Sequence, residues 1–195
     1  MARPILSLLP LILSILYITG KSGSTASATN FIEASCKATL YPAFCVQTLS
    51  VHAAKIQESP YQLAQTALSE GLFRAQQSKA FLSNLAKESG PQAGKGGALK
   101  DCLGQIDDAV DLLTKSVQEG TLILNSNGEN FSLHHSNIMT WASAALTNED
   151  TCVEGVSNQV FDVTMQNSIK TQVVNVKESI SIALALFKQY AEKRQ

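Results

Sequence analysis

Charge, aromatic side chains and the familiar catalytic motifs are all scarce in this chain, and each shortage removes a class of function. Charged residues make up only 16% of its 195 positions, and no lysine or arginine cluster forms the basic footprint that nucleic acid requires. Its three histidines, His52, His134 and His135, stand in no H-E-x-x-H or comparable spacing, and no C-x2-C pair occurs. A metal centre therefore has no sequence support. There is no G-x-S-x-G elbow for a serine nucleophile. The Gly94-Lys95-Gly96 triplet inside SGPQAGKGG resembles a phosphate loop, but it has one spacer residue too few and Gly96 where a hydroxyl is needed. No alternating apolar and polar run is bounded by a hairpin turn, so strands are not expected either. Nothing here calls for a cofactor, and an enzyme is not the expected reading.

What is present begins with MARPILSLLPLILSILYITG, one cation ahead of an apolar run from Pro4 to Ile18, followed by Ala26-Ser27-Ala28. That layout is a secretory signal peptide, residues 1–28, with cleavage expected before Thr29. The apolar run falls short of the roughly 20 residues that cross a bilayer. The mature chain, 29–195, keeps 13 basic and 16 acidic side chains, a formal charge of −3. Its length suits one domain with one core. Four cysteines, Cys36, Cys45, Cys102 and Cys152, all follow the leader. An even number in an oxidising compartment reads as two disulfides, and their spacing leaves all three connectivities open.

Helical periodicity dominates the rest. VVNVKESISIALALFKQY places Val173, Val176, Ile180, Ala183, Phe187 and Tyr190 on one stripe. ALKDCLGQIDDAVDLLTKSVQEG predicts a helix with Cys102, Ile106, Ala109, Leu113 and Val117 inside, Asp107, Asp108 and Asp111 on a solvated face, and Gly120 as its stop. A third helix is expected from His135 to Val160 with Ile138, Trp141, Ala142, Ala145 and Cys152 facing inward and Trp141 as a core anchor. The connection to the last helix is expected near Phe161 to Asn167. Another helix runs from Tyr61 to Lys87 behind a Ser59 cap and Pro60. The expected fold is all-α: an up-down-up-down four-helix bundle over 59–195. Residues 29–58 are left over as an N-terminal extension. His134-His135 read as solvated, and an unmatched pair of this kind makes binding depend on pH between about 5 and 7. Asn130-Phe131-Ser132 is the one N-x-[ST] sequon, in the polar stretch NSNGENFS read as a loop, which makes Asn130 a glycosylation candidate.

Several segments taken in order resemble the plant invertase and pectin methylesterase inhibitors. FIEASCKATLYPAFC is similar to the family's start, ALKDCLGQIDDAVDLLTKS to its A-L-x-D-C…D-A-V-D-x-L segment, and WASAALTNEDTC to its W-x-S-A-A-L-T-x-x-x-T-C segment. The resemblance runs from Phe31 to about Tyr190. It implies the pairs Cys36–Cys45 and Cys102–Cys152, the first closing a helical hairpin that leans outside the bundle with Pro42 at its turn. It also implies a protein inhibitor of the apoplast and cell wall, capping the substrate cleft of its target one to one in a pH-dependent complex. The absent Pro-Lys-Phe tripeptide before the third bundle helix points to pectin methylesterase over acid invertase as partner. A secreted carrier of small apolar ligands is the remote alternative, and plant carriers of that kind use more cysteines. Since the methylesterase's pectin groove is long, the resemblance implies a rigid polar contact surface. Its candidate residues are Thr147, Asn148, Glu149, Asp150 and Thr151 of the third helix with Gln105, Asp108 and Asp111 of the second. The chain departs from the family at Gly104 and Ile106, where Glu and Tyr are frequent, and at Glu154-Gly155-Val156, often Asp-Gly-Phe. These departures bear on target preference more than on fold.

Overall fold

A computed structural model of the chain describes residues 25–88, 97–158 and 162–194. The apolar run of the expected leader, Gly94-Lys95-Gly96 and Phe161 lie outside the described residues. Helix α1 covers 25–36, and α2 covers Pro42–Leu49. A 3-10 turn, Ser50–His52, leads into the single-turn α3, Ala53–Ile56. Four long helices follow: α4 Pro60–Glu88, α5 Gly97–Ile123, α6 Gly128–Ser157 and α7 Val163–Glu192. They touch in ring order, α4 on α5, α5 on α6, α6 on α7 and α7 on α4, as an up-down-up-down bundle does.

A seven-residue repeat builds this bundle. The buried stripes advance by alternate steps of three and four: Tyr61, Ala64, Leu68, Gly71, Ala75, Ser78, Leu82 on α4 and Leu99 through Cys102, Ile106, Ala109, Leu113, Ser116, Gly120 and Ile123 on α5. Helix α6 contributes Ile138, Ala142, Ala145, Glu149, Cys152 and Val156, and α7 contributes Ile169, Val173, Val176, Ile180, Ala183, Phe187 and Tyr190. A 3.5-residue period keeps one seam of each helix facing its neighbours, the geometry of knobs-into-holes bundles. Helix starts follow local chemistry. The Ser59 hydroxyl accepts from Gln62 N–H at 3.2 Å and Pro60 opens α4, while the Asp162 carboxylate accepts from the Thr164 and Met165 amides.

The hairpin is fastened by Cys36–Cys45, with Pro42 in the first turn of α2. It does not stand apart from the bundle. Ile32, Cys36, Cys45, Leu49 and Ile56 are fully buried in the same cluster as Leu68, Ile180 and Phe187. Arg74 of α4 lies over the Phe44 ring at 4.9 Å, and His52 Nε2 meets Glu70 at 2.8 Å. The expected cut before Thr29 falls within α1, whose Ala28 is buried.

Four expectations need correction. Gly120 does not end its helix; α5 continues to Ile123 with Gly120 on the buried stripe. A Cβ there would stand 2.0 Å from Gln65 Oε1, because Gln65 Nε2 donates to Val117 O and Tyr61 Oη donates to Gly120 O, drawing α4 and α5 together. Helix α6 begins at Gly128, so Asn130 sits exposed in its first turn instead of a loop. Tertiary contacts extend it: Phe131 packs on Tyr190 at 5.8 Å beneath Arg194, whose guanidinium donates to Ser126 O, Asn127 Oδ1 and Tyr190 Oη. Helix α7 likewise starts at Val163, before the expected connection ends, with Gln166 Nε2 donating to Val156 O. Trp141 is half-buried, since Ala142 takes the inward position at that turn.

The contact at Gly120 is testable. Gly120→Ala gains about 1 kcal/mol of helix propensity but displaces the Gln65 amide from its partner, at about 1–3 kcal/mol. The expected result is net destabilisation of about 1 kcal/mol in urea unfolding. In a Gln65→Ala background the same substitution should stabilise, and equal effects in both backgrounds would contradict the packing account.

Candidate target-binding face

Helices α5 and α6 form the most extensive contact in the bundle and are joined by Cys102–Cys152, with Cα atoms 4.3 Å apart. The bridge was implied by the family resemblance, and the structure places it at the end of the bundle away from the hairpin. Around it lies the second core cluster, Leu82, Leu99, Ile106, Val156, Ile169 and Val173. All four cysteines are paired, so no thiol is left as a nucleophile.

Beside the bridge, an open groove of about 360 Å³ is lined by Asp101, Gln105, Thr151, Gly155 and Asn158 among others. Gln105 and Thr151, expected as contact residues from different helices, meet there. Thr147 and Thr151 are exposed one turn apart, and Asn148 is half-buried between the two turns. Their hydroxyls donate back to the helix, Thr147 Oγ1 to Ser143 O at 3.1 Å and Thr151 Oγ1 to Thr147 O at 2.9 Å. The oxygen lone pairs stay outward as acceptors. Asp108 is exposed on the neighbouring helix. Asp111 lies toward the α4 side instead, where Asp107, by hydrogen bond and charge, and then Asp111 hold the Lys79 ammonium above the usual lysine range.

One expected contact residue is misplaced. Glu149 is fully buried, and among the described residues neither of its carboxyl oxygens has a hydrogen-bond partner. It occupies a stripe position, four residues after Ala145 and three before Cys152, so its side chain points inward. Burial pushes its pKa up to about 8; the nearby Lys177 charge opposes this and Asp150 adds to it. Lys177 of α7 is paired with Asp150 and ties residues 147–151 to the next helix. The seven-residue spacing carried the signal for Glu149, although a charged residue within TNED invited a surface reading.

The histidines lie at the opposite end. His134 Nδ1 meets Glu119 Oε1 at 2.8 Å, and Asn137 Nδ2 donates to the same oxygen at 2.7 Å. His135 is half-buried, stacked on Phe131, and burial holds its pKa below the usual histidine value. The pair is therefore not simply solvated. Among the described residues no three His, Cys, Asp or Glu side chains are placed to hold a metal ion. The face is suited to docking against a macromolecule: a rigid two-helix ledge with hydroxyl, amide and carboxylate groups around a shallow groove.

The buried carboxyl gives a pH prediction. Its folded pKa lies above the ordinary glutamate value of about 4.3, so the unfolded chain ionises first as pH rises. The folded state then loses stability from about pH 4.5 to about pH 8. At about 1.4 kcal/mol per unit, that loss approaches roughly 5 kcal/mol. Glu149→Gln removes it, so the melting-temperature difference between variant and parent should be small at pH 4.5 and widen steadily to pH 8. A difference independent of pH would overturn the assignment.

Comparison with known proteins places this geometry in context. The family described as plant invertase/pectin methylesterase inhibitor matches residues 30–186. Pectinesterase inhibitor 11 of Arabidopsis thaliana is 42% identical over 167 residues, covering 85% of this chain and 83% of the relative. A 21 kDa protein of Daucus carota is 39% identical over 185 residues, covering 95% and 96%. In fold, the chain is similar to a crystal structure of a mutant pectin methylesterase inhibitor from Arabidopsis, with a TM-score of 0.63 and 22% identity over 78% of this chain and 92% of that one. Two paired disulfides, a hairpin packed on a four-helix bundle and the matched length agree: this chain belongs to the plant invertase/pectin methylesterase inhibitor family.

Proposed function

We propose that this chain inhibits pectin methylesterase by docking the α5–α6 face across the enzyme's pectin groove in a one-to-one complex. The observation that carries the reading is the ledge fixed by Cys102–Cys152, which brings Gln105 and Thr151 together at one groove, with Thr147 and Asn148 one turn back along α6. The relatives named pectinesterase inhibitors support the choice of target, and membership in a family of inhibitors accords with a chain that is not itself an enzyme. Two long helices cross-linked to each other lose little conformational freedom on docking, which preserves affinity for a polar contact surface.

Secretion to the cell wall goes with this function. The leader 1–28 carries the export reading, and no described helix is long and apolar enough to cross a membrane. Asn130, exposed in the first turn of α6 at the hairpin end, is a glycosylation site whose glycan stays clear of the α5–α6 groove.

A mixing assay tests the proposal. The mature protein should abolish methyl-ester hydrolysis stoichiometrically at mildly acidic pH, and failure against a panel of plant methylesterases would sink it. Loss of sucrose hydrolysis by acid invertase in its place would reassign the target. Thr151→Lys and Gln105→Lys should each raise the inhibition constant about tenfold or more, since a lysine would need to be desolvated in the groove. Melting temperatures should stay within a few degrees of the parent's, which separates lost contact from lost fold.

A further inference from the structure

The Cys102–Cys152 bridge, the position of Gly71 opposite Ile180, where an added Cβ would meet Ile180 Cγ1 at 3.6 Å, and the Tyr61–Tyr190 ring contact fix the layers of the bundle. One stripe step from the bridge toward the hairpin reaches Ser78, Ile106, Glu149 and Val173, one residue from each helix. Two members of this layer are polar. Ser78 and Glu149 are both fully buried, and neither side chain has a hydrogen-bond partner among the described residues. The two apolar clusters part at this level: Ala75, Ala109, Ala145 and Val176 belong to one, and Leu82, Ile106, Cys152 and Val173 to the other.

Charged groups reach Glu149 from two helices. Lys177 of α7 attracts its ionised form and Asp150 of α6 repels it. Those same two side chains pair with each other at the surface. From α4 and α5, the ionisable groups near this level are Lys79 and Asp107, and they are committed to each other at the outer seam. Lys177 is therefore shared between an exposed carboxylate and a buried carboxyl one residue away.

We propose that Glu149 is a positioning residue for the α6 contact segment: protonated, it leaves Lys177 on Asp150 and seats residues 147–151 against α7, and ionised, it draws Lys177 away and slackens that segment. This rests on the inhibitor reading and adds the regulation of its binding face. Proton loss from Glu149 leaves a carboxylate buried between the two apolar clusters, where Lys177 is the cation that attracts it. Asp150 then loses its partner, and the tether between the contact segment and α7 goes with it. Thr147, Asn148 and Thr151 belong to the turns on either side, so the face is held at acidic pH and loosened at alkaline pH.

The test combines inhibition and spectroscopy on the mature chain. Inhibition constants toward one methylesterase are measured from pH 5.5 to 9 for the parent, Glu149→Gln and Lys177→Met. The Gln variant should match the parent within about threefold at pH 5.5 and inhibit about tenfold more tightly at pH 9. Lys177→Met should weaken inhibition already at pH 5.5. In the free protein, carboxyl carbon resonances of Glu149 and Asp150 should report one shared transition well above the ordinary glutamate range. Parallel pH profiles for the parent and Glu149→Gln would overturn the proposal, as would an Asp150 resonance indifferent to Glu149. Should the parent inhibit no methylesterase, the functional reading fails alone, because the shared transition in the free protein still decides whether Lys177 is exchanged.

Discussion

The Cys102–Cys152 bridge is the constraint on which the rest of the α5–α6 face depends. Helices packed by a seven-residue repeat have several registers of similar burial, because sliding one helix by a heptad restores the same face. A covalent link between two stripe positions removes that freedom for α5 and α6. The chain-entropy model gives about 4 kcal/mol for the loop of roughly 51 residues it closes, against about 2.7 for the ten-residue loop of Cys36–Cys45. Its greater consequence is positional. Thr151 directly precedes Cys152 and Gln105 lies three residues after Cys102, so the bridge places both beside one groove.

The layer next to that bridge opposes it energetically. Apolar side chains at Ser78 and Glu149 would fill the bundle interior without an unpaired oxygen, and a buried carboxyl lacking partners costs stability even when protonated. Two apolar clusters on either side of the layer bear this cost. A weak layer beside a covalent one confines any loosening to a single level, while the register of α5 against α6 is kept. Local instability in a domain that is otherwise fastened is a frequent property of functional elements.

Much of this was legible in the sequence, because four amphipathic stripes and an even number of cysteines are one-dimensional signals, while the pairing came with the family resemblance. The stripe of α7 was read residue for residue from Val173 to Tyr190, without Ile169, and Ser59-Pro60 marked the start of α4. The errors at the helix ends share one cause: a distant part of the chain overrides a local preference. Gly120 looked like a helix stop until Gln65 and Tyr61 of α4 gave it a reason to lie inside a helix. Residues 128–134 looked like a loop because Phe131 is held by Tyr190 and Arg194, about 60 residues downstream. Glu149 was misplaced by its charge although its spacing was correct. The Lys177–Asp150 pair depends on how α6 and α7 turn against each other, and no pattern within either helix states that.

The opposite end of the bundle shows why these features are separable. There the hairpin shares the main core, His52 pairs with Glu70, and Arg194 clasps the turn between α5 and α6 through Ser126 and Asn127. Gln57 holds a left-handed conformation, φ 53°, where the hairpin hands over to α4, a strained position for a residue with a side chain. None of these groups reaches the second core cluster, and contributions from distant sites without shared partners add nearly independently. The hairpin end thus sets how firmly the bundle is closed, and the bridged end sets what it presents. The polar layer at Ser78 and Glu149 is where the two meet, so a change of protonation there alters the presented face while the hairpin end stays closed.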